Sequence, residues 1–279
     1  MVLMENQPQL TDRIALTRNR ARAQPEAMFL HDVVATEIED RCKEVNRTFQ
    51  SIAIVTGFPA YWAEHYPDAT IVADDEVLAL EPASFDLVLH IMALHWANDP
   101  VGQLVQCRHA LKPDGLMLGF CFGGQTLHEL RSALAEAEAV VAGGLSPRIA
   151  PMGEIRDLGA LLQRAGFALP VADGNALDVS YANTFHLMSD LRKMGEGNAL
   201  AHRPRHFTQR NVLTEAASLY AEHFSDAQGR VSATFEIITL TGWAPAEDQP
   251  KPLRPGSATT RLADALGTTE NPTRLPNDE

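Results

Sequence analysis

The chain is short of three things, and each shortage excludes something. It has three cysteines in 279 residues, Cys42, Cys107 and Cys121. They stand too far apart for a metal knuckle, and an odd count gives no disulfide framework, so a reducing, cytoplasmic setting is expected. It is short of positive charge, with 23 Lys and Arg against 36 Asp and Glu and a net charge of −13. That balance excludes a broad nucleic-acid face, which needs a basic surface. It also lacks a long apolar run: the longest, about Leu87 to Leu94, is interrupted by His90 and is far below membrane-spanning length. No secretory apolar segment opens the chain; Arg13, Arg18, Arg20 and Arg22, interrupted by Asp12, fit an ordinary basic surface helix better than the alternative, a transit peptide. There is no Gly-x-Ser-x-Gly elbow and no pair of histidines at zinc-helix spacing, so no metal site is expected.

What is present is a core-forming composition, 45% hydrophobic, and one informative stretch. Phe85 to Met92 is an apolar run that ends in the polar, aromatic Leu94-His-Trp-Ala-Asn-Asp99. An amphipathic segment with Val101, Leu104, Val105 and Leu111 follows, then Leu111-Lys-Pro-Asp-Gly115 and a second apolar run to Phe122. Strand, helix, strand is the unit of a parallel sheet. Ligands of such sheets lie beyond the C-terminal strand ends, which places His95, Trp96, Asn98 and Asp99 where chemistry is expected. His90, mid-strand among apolar residues, reads as a core histidine.

The remaining elements follow from periodicity. Residues 10 to 48 read as two helices separated by Pro25, Ser51 to Val55 and Ala69 to Ala73 as short buried strands. Gly123-Gly124 opens a helix for which Thr126 and Glu129 predict a capping box, and Gly143-Gly144 ends it. Ile155, Leu158, Leu161, Leu162 and Ala165 form the inward face of the next helix, which Gly166 stops. Val171 to Tyr181 reads as a strand broken at Asp173-Gly174, residues 184–194 and 211–224 as helices. Val231 to Leu240 alternates as a half-buried strand, predicted antiparallel. This gives one domain over 1–267, with a helical insertion at about 182–228 and a mobile tail over 268–279. Arg203, Arg205 and Arg210, with His202 and His206, form a local basic run, either a solvated face or a docking surface for an acidic partner.

In this order the elements resemble a class I methyltransferase fold. More narrowly, the chain resembles the methyltransferase-like assembly factors of respiratory complex I, a group associated with hydroxylating an arginine of a complex I subunit. The resemblance is carried by Phe85-Asp-Leu-Val, Leu94 to Asp99, Leu111 to Gly115, Phe122-Gly-Gly-Gln-Thr-Leu127, Glu129-Leu-Arg131, Gly143 to Arg148, Arg156-Asp-Leu-Gly159, Arg164-Ala-Gly-Phe167, Met188 to Arg192, Met194-Gly-Glu196, Ala233-Thr-Phe235 and Gly242-Trp243. It implies an α/β, Rossmann-like architecture: a mainly parallel sheet, helices on both faces and one antiparallel strand. It also implies S-adenosylmethionine as cofactor and a protein client, such as a complex I subunit.

The cofactor motifs depart from the family. Ala53 stands for an acid, Val55 and Pro59 for two glycines, and only Gly57 remains. Only seventeen positions separate Gly57 from Asp74, room for one helix and one strand, so the ribose-binding strand is expected to be shortened or missing. Asp74-Asp75-Glu76 matches a later acidic motif near the adenine. Weak or absent S-adenosylmethionine binding is therefore predicted. The candidate cofactor contacts are Gly57, Asp74, Asp75, Trp96, Gly123 and Gly124. Gly57, without its partner glycines, reads more readily as an ordinary strand-to-helix turn, and Gly123-Gly124 equally as a plain tight turn. Trp96 is positioned to stack on adenine or on a substrate guanidinium, or to close the core. His95 is the candidate proton acceptor, with Asn98 or Asp99 orienting the substrate. Three functions stay open: a methyltransferase acting on a protein side chain, a non-catalytic assembly factor that chaperones a client, and a protein-arginine hydroxylase.

Overall fold

A computed structural model describes residues 9–249, 260 and 262–268. Residues Met1–Ala246 form one compact unit and Glu247–Glu279 a second. In the first unit the chain runs α1 (Arg13–Arg20), α2 (Phe29–Val45), β1 (Ile52–Thr56), α3 (Pro59–His65), β2 (Thr70–Ala73), β3 (Phe85–Ile91), α4 (Pro100–Ala110), β4 (Leu111–Phe122), α5 (His128–Ala142), α6 (Ile155–Arg164), β5 (Ala168–Tyr181), α7 (Thr184–Lys193), α8 (Arg210–Phe224) and β6 (Val231–Trp243). Within the second unit the described residues include a short helix, α9 (Leu262–Leu266). Residues 269–279, most of the tail expected to be mobile, lie outside the described residues.

The six strands are ordered β2-β1-β3-β4-β6-β5. β2, β1, β3 and β4 are parallel, and β6 runs antiparallel to both neighbours. The expected mainly parallel sheet with a reversed Val231 strand is what forms. A doubly wound sheet of order 3-2-1-4-5-6 carries two strands outside its first; here β2 alone lies outside β1.

Both faces of the sheet are covered, which is why β3 reads as a nearly unbroken apolar run. Leu87, Leu89 and Ile91 join Ile54, Leu118 and Phe120 under α2, α3 and α5, contributing with Leu30, Val34, Trp62 and Leu130 to one core. Val88, Met117 and Cys121 pack with Leu104 and Cys107 of α4 and Leu158 and Leu162 of α6 in another. His90 is fully buried on that side, its Nε2 3.0 Å from Gln103 Oε1, and burial lowers its pKa.

Four local expectations are corrected. β2, expected to be buried, is the edge strand and its residues are exposed or half-buried. The capping box does not form: Leu127 precedes α5 with φ 54° and α5 has no side-chain cap. Thr126 Oγ1 instead bonds the backbone of Glu236, and Glu129 Oε1 accepts from Thr234 N at 3.0 Å, so both side chains tie α5 to β6. β5 is not broken at Asp173-Gly174; its ladder with β6 runs on from Val171 to Tyr181, and Asp173 takes an ion pair from Arg41 of α2. Ile155, expected inward, is 38% exposed at the first position of α6, one turn before the buried Leu158.

Candidate functional site

The C-terminal ends of the parallel strands are roofed by the N-terminal segment. Thr11 N donates to Asn98 Oδ1 at 2.9 Å and Asn98 Nδ2 to Thr11 O at 3.3 Å. Asp12 N reaches Ala199 O at 2.8 Å, and Asn19 Nδ2 reaches Gly197 O at 2.9 Å. Beneath this roof lie two cavities. One, about 350 Å³, is lined by Asn19, Arg22, Trp96, Phe122 and Glu196 among others. The other, about 550 Å³, is lined by Arg20, Gly57, Phe58, Tyr61, Asp74 and Asp75 among others. The end of α1 is the wall between them, with Asn19 and Arg22 on one side and Arg20, Ala21 and Ala23 on the other.

The first cavity has a mainly apolar lining and one acid, Glu196, whose side chain is 9% exposed. Trp96 ends a single 3-10 turn, Leu94–Trp96, and is 3% exposed. Its Nε1 donates to Glu196 Oε2 at 2.8 Å. His95 Nε2 stands 3.5 Å from the same oxygen, too far for a strong hydrogen bond. Glu196 follows α7 through Gly195, which needs φ +81°. Burial alone would push the Glu196 carboxyl up. The His95 ring, the Arg20 charge and the Trp96 N–H outweigh it and hold the group below its ordinary range, as a carboxylate. Oε1 of Glu196 has no hydrogen-bond partner among the described residues. At the mouth, Arg148 is paired with Glu138, whereas Arg22 and Arg192 are exposed.

The second cavity lies where the fold family holds its nucleoside. This corrects the expectation that set Asp74 by the adenine: Asp74 follows β2, the strand beside β1, which in doubly wound sheets is the place of the acid that bonds the ribose hydroxyls, and the strand that is missing lies outside it. Its carboxylate is already engaged. Arg20 Nη1 donates to Oδ1 at 2.7 Å and Arg13 Nη1 to Oδ2 at 3.1 Å. Burial would raise the Asp74 pKa, but these two guanidinium groups hold it far below the usual carboxylate range. The surviving glycine is used up as well. A Cβ placed on Gly57 would run into Cζ, Nε and Nη1 of Arg20, whose Cζ also stands 5.7 Å from the Phe58 ring centre. Pro59 opens α3 and has no N–H to offer. As arranged, these residues do not fit S-adenosylmethionine.

Of the candidates read from sequence, His95 and Trp96 meet at Glu196, and Gly57, Asp74 and Asp75 line the second cavity. The others have structural duties. Asn98 pins Thr11, and Asp99 caps α4 by accepting from Gly102 N at 2.8 Å. Gly123 N donates to Glu236 O and Gly124 N to Gly153 O, so neither amide is free for an anion. Glu196 and Arg20, which line the two cavities, were missed. His31 is buried, its Nδ1 3.2 Å from Trp62 Nε1, and burial lowers its pKa to about 4. Glu196 lay in the Met194-Gly-Glu196 match, a signal that was available. Among the described residues no three His, Cys, Asp or Glu side chains converge as a metal site.

A methyltransferase domain model matches residues 23–119. The rat protein named arginine-hydroxylase NDUFAF5, mitochondrial (Rattus norvegicus) is 35% identical over 276 residues, covering 88% of this chain and 80% of its own length. The human protein of the same name is 36% identical over 284 residues, covering 91% and 81%. This chain belongs to the NDUFAF5 family. It is also 33% identical over 173 residues to a malonyl-[acyl-carrier protein] O-methyltransferase of Halorhodospira halophila, covering 62% of this chain and 57% of that one. The NDUFAF5 match runs over most of the chain, whereas the domain model stops within β4.

Proposed function

We propose that this chain acts on an arginine of a protein client and seats its guanidinium against Glu196 and Trp96 in the smaller cavity. The observation that carries this reading is the Glu196 carboxylate: its side chain 9% exposed, its pKa held low, and its Oε1 without a protein partner among the described residues in a mainly apolar pocket. A planar cation that donates through a fork and lies against an aromatic face is the group such a pocket satisfies. The rim cations Arg22 and Arg192 favour acidic residues on either side of the client arginine. The relatives' name, arginine-hydroxylase, supports an arginine as target, and the family resemblance supports a respiratory complex I subunit as client.

S-adenosylmethionine binds weakly or not at all in this reading, because Arg20 and Asp74 are paired across its place. That pairing also favours a second reading, a non-catalytic family member that holds its client without modifying it. Cys42, Cys107 and Cys121 form no disulfide, which fits a reducing compartment; no described helix is long and apolar enough to cross a membrane.

The test is binding of an arginine peptide with acidic flanks, read by calorimetry beside the same peptide with citrulline. The arginine peptide should bind and the citrulline peptide should not. Glu196→Gln should lose about ten- to a hundredfold, the worth of one charged hydrogen bond at about 1.5–3 kcal/mol. Equal affinity for both peptides would overturn the arginine reading. Mass spectrometry of the incubated client then separates a gained oxygen, a gained methyl group and no change.

A further inference from the structure

We propose that Arg20 is the resident occupant of the nucleoside cleft, a latch at the end of α1 that a nucleoside ligand must displace to enter. Its side chain is 7% exposed and its partner Asp74 2% exposed, so this is a buried contact and not a surface ion pair. The guanidinium covers the face of Gly57 that a missing Cβ leaves open, the approach by which a ligand would reach the end of β1. The same group occupies the acid at the end of β2. One side chain thus blocks both the glycine and the acid that such a cleft offers a nucleoside.

Two observations mark the contact as displaceable. Arg20 Nε and Nη2 are buried without a hydrogen-bond partner, so the guanidinium is held with only part of its fork satisfied. Beside it the cavity of about 550 Å³ remains open between α1 and α3, within the size range of small-molecule sites. Arg13 offers an internal comparison. It also binds Asp74 but pairs with Asp75 too, and does not lie over Gly57. Asp74 therefore keeps a counter-charge when Arg20 leaves, which lets the latch open without stranding a carboxylate. None of this depends on which client the other cavity takes.

The experiment titrates S-adenosylhomocysteine into the full chain by calorimetry, for wild type, Arg20→Met and Arg13→Met. The latch taxes affinity by the fraction of molecules that are open. Wild type should bind more weakly than millimolar, Arg20→Met at least about tenfold more tightly than wild type, and Arg13→Met like wild type. Micromolar binding by wild type, no gain in Arg20→Met, or an equal gain in Arg13→Met would each overturn the proposal. If Arg20→Met does not fold, hydrogen exchange of the wild type decides. The amides of Gly57 and Phe58 should keep the same protection with and without millimolar S-adenosylhomocysteine, and a gain in protection there would overturn it.

Discussion

Replacing Asp74 by leucine should be among the most damaging single changes near the cleft. The carboxylate is 2% exposed and faces Arg20, itself 7% exposed, at 2.7 Å. Asp74→Leu leaves Arg13 with Asp75, 3.3 Å away, but strands the Arg20 charge in a dry place. Breaking a buried pair in this way costs about 3–5 kcal/mol. Arg20→Met should be milder, about 1–2 kcal/mol, because Asp74 keeps Arg13. The double variant removes both buried charges and should cost at most about 1 kcal/mol, since apolar replacement of a buried pair is often near neutral. Urea unfolding of the four proteins closes a double-mutant cycle with a coupling of at least about 3 kcal/mol. The pH profile adds a second reading. Asp74 has a depressed folded pKa, so its contribution is complete above the unfolded value of about 3.9 and is lost as pH falls below it. Asp74→Leu should flatten that acid limb. A cost below about 1 kcal/mol for the single variant, or a double variant as unstable as the sum of the two singles, refutes the reasoning.

Four further outcomes are expected. Trp96→Ala should cost about 3–5 kcal/mol, because the ring is 3% exposed and packs with Ala15, Leu16 and Leu200; a melting point equal to wild type would show that the ring is not core. His31, buried with a pKa lowered to about 4, binds its proton less readily folded than unfolded, so stability should fall by roughly 3 kcal/mol as pH drops from about 6.5 to about 4, and His31→Gln should remove that slope in denaturant melts. Burial pushes Cys107 and Cys121 up to about 12, so a thiol reagent should reach only the half-buried Cys42 in the native chain and all three after unfolding. Gly57→Ala should destabilise wild type through the Arg20 contact alone, since Gly57 is not among the glycines with positive φ; an equal loss in an Arg20→Met background would place the strain in the backbone instead.

The sheet was legible where burial on both faces writes itself into the chain. β3 shows as a continuous apolar run, β6 as an alternation, and α6 as spaced Leu158 and Leu162; α4 was read from Val101, Leu104 and Val105, of which Leu104 is buried beside the unread Cys107. Local rules failed where a polar side chain had a distant partner. Thr126 and Glu129 fit a capping box within their own segment, yet bond residues more than a hundred positions away on β6. The site failed to show for the same reason. Trp96 and Glu196 are 100 positions apart and Arg20 and Asp74 are 54 apart, and no periodicity records either meeting. His95 and Trp96 were placed because they follow a strand end, a rule that holds without knowing their partners. That rule equally caught Asn98 and Asp99, which serve as a clasp and a cap.

The eroded glycine loop and the arginine latch are one feature seen at two levels. A nucleoside loop needs several glycines so that the backbone can approach a ligand that comes and goes. An arginine fixed in the same chain needs only the one glycine beneath it, and Gly57 is the one that remains. Val55 then becomes a fully buried core residue of β1, and Pro59 the start of α3, both favourable once no ligand requires those positions. The other cavity sits across the end of α1 and draws on residues from β4, α5, α7 and the turn after β3, none of which belongs to the altered stretch. Loss of the glycine loop therefore leaves the lining of the Glu196 pocket in place, and the two sides stay linked through Arg20, whose charge lowers the Glu196 pKa while its side chain latches the nucleoside cleft.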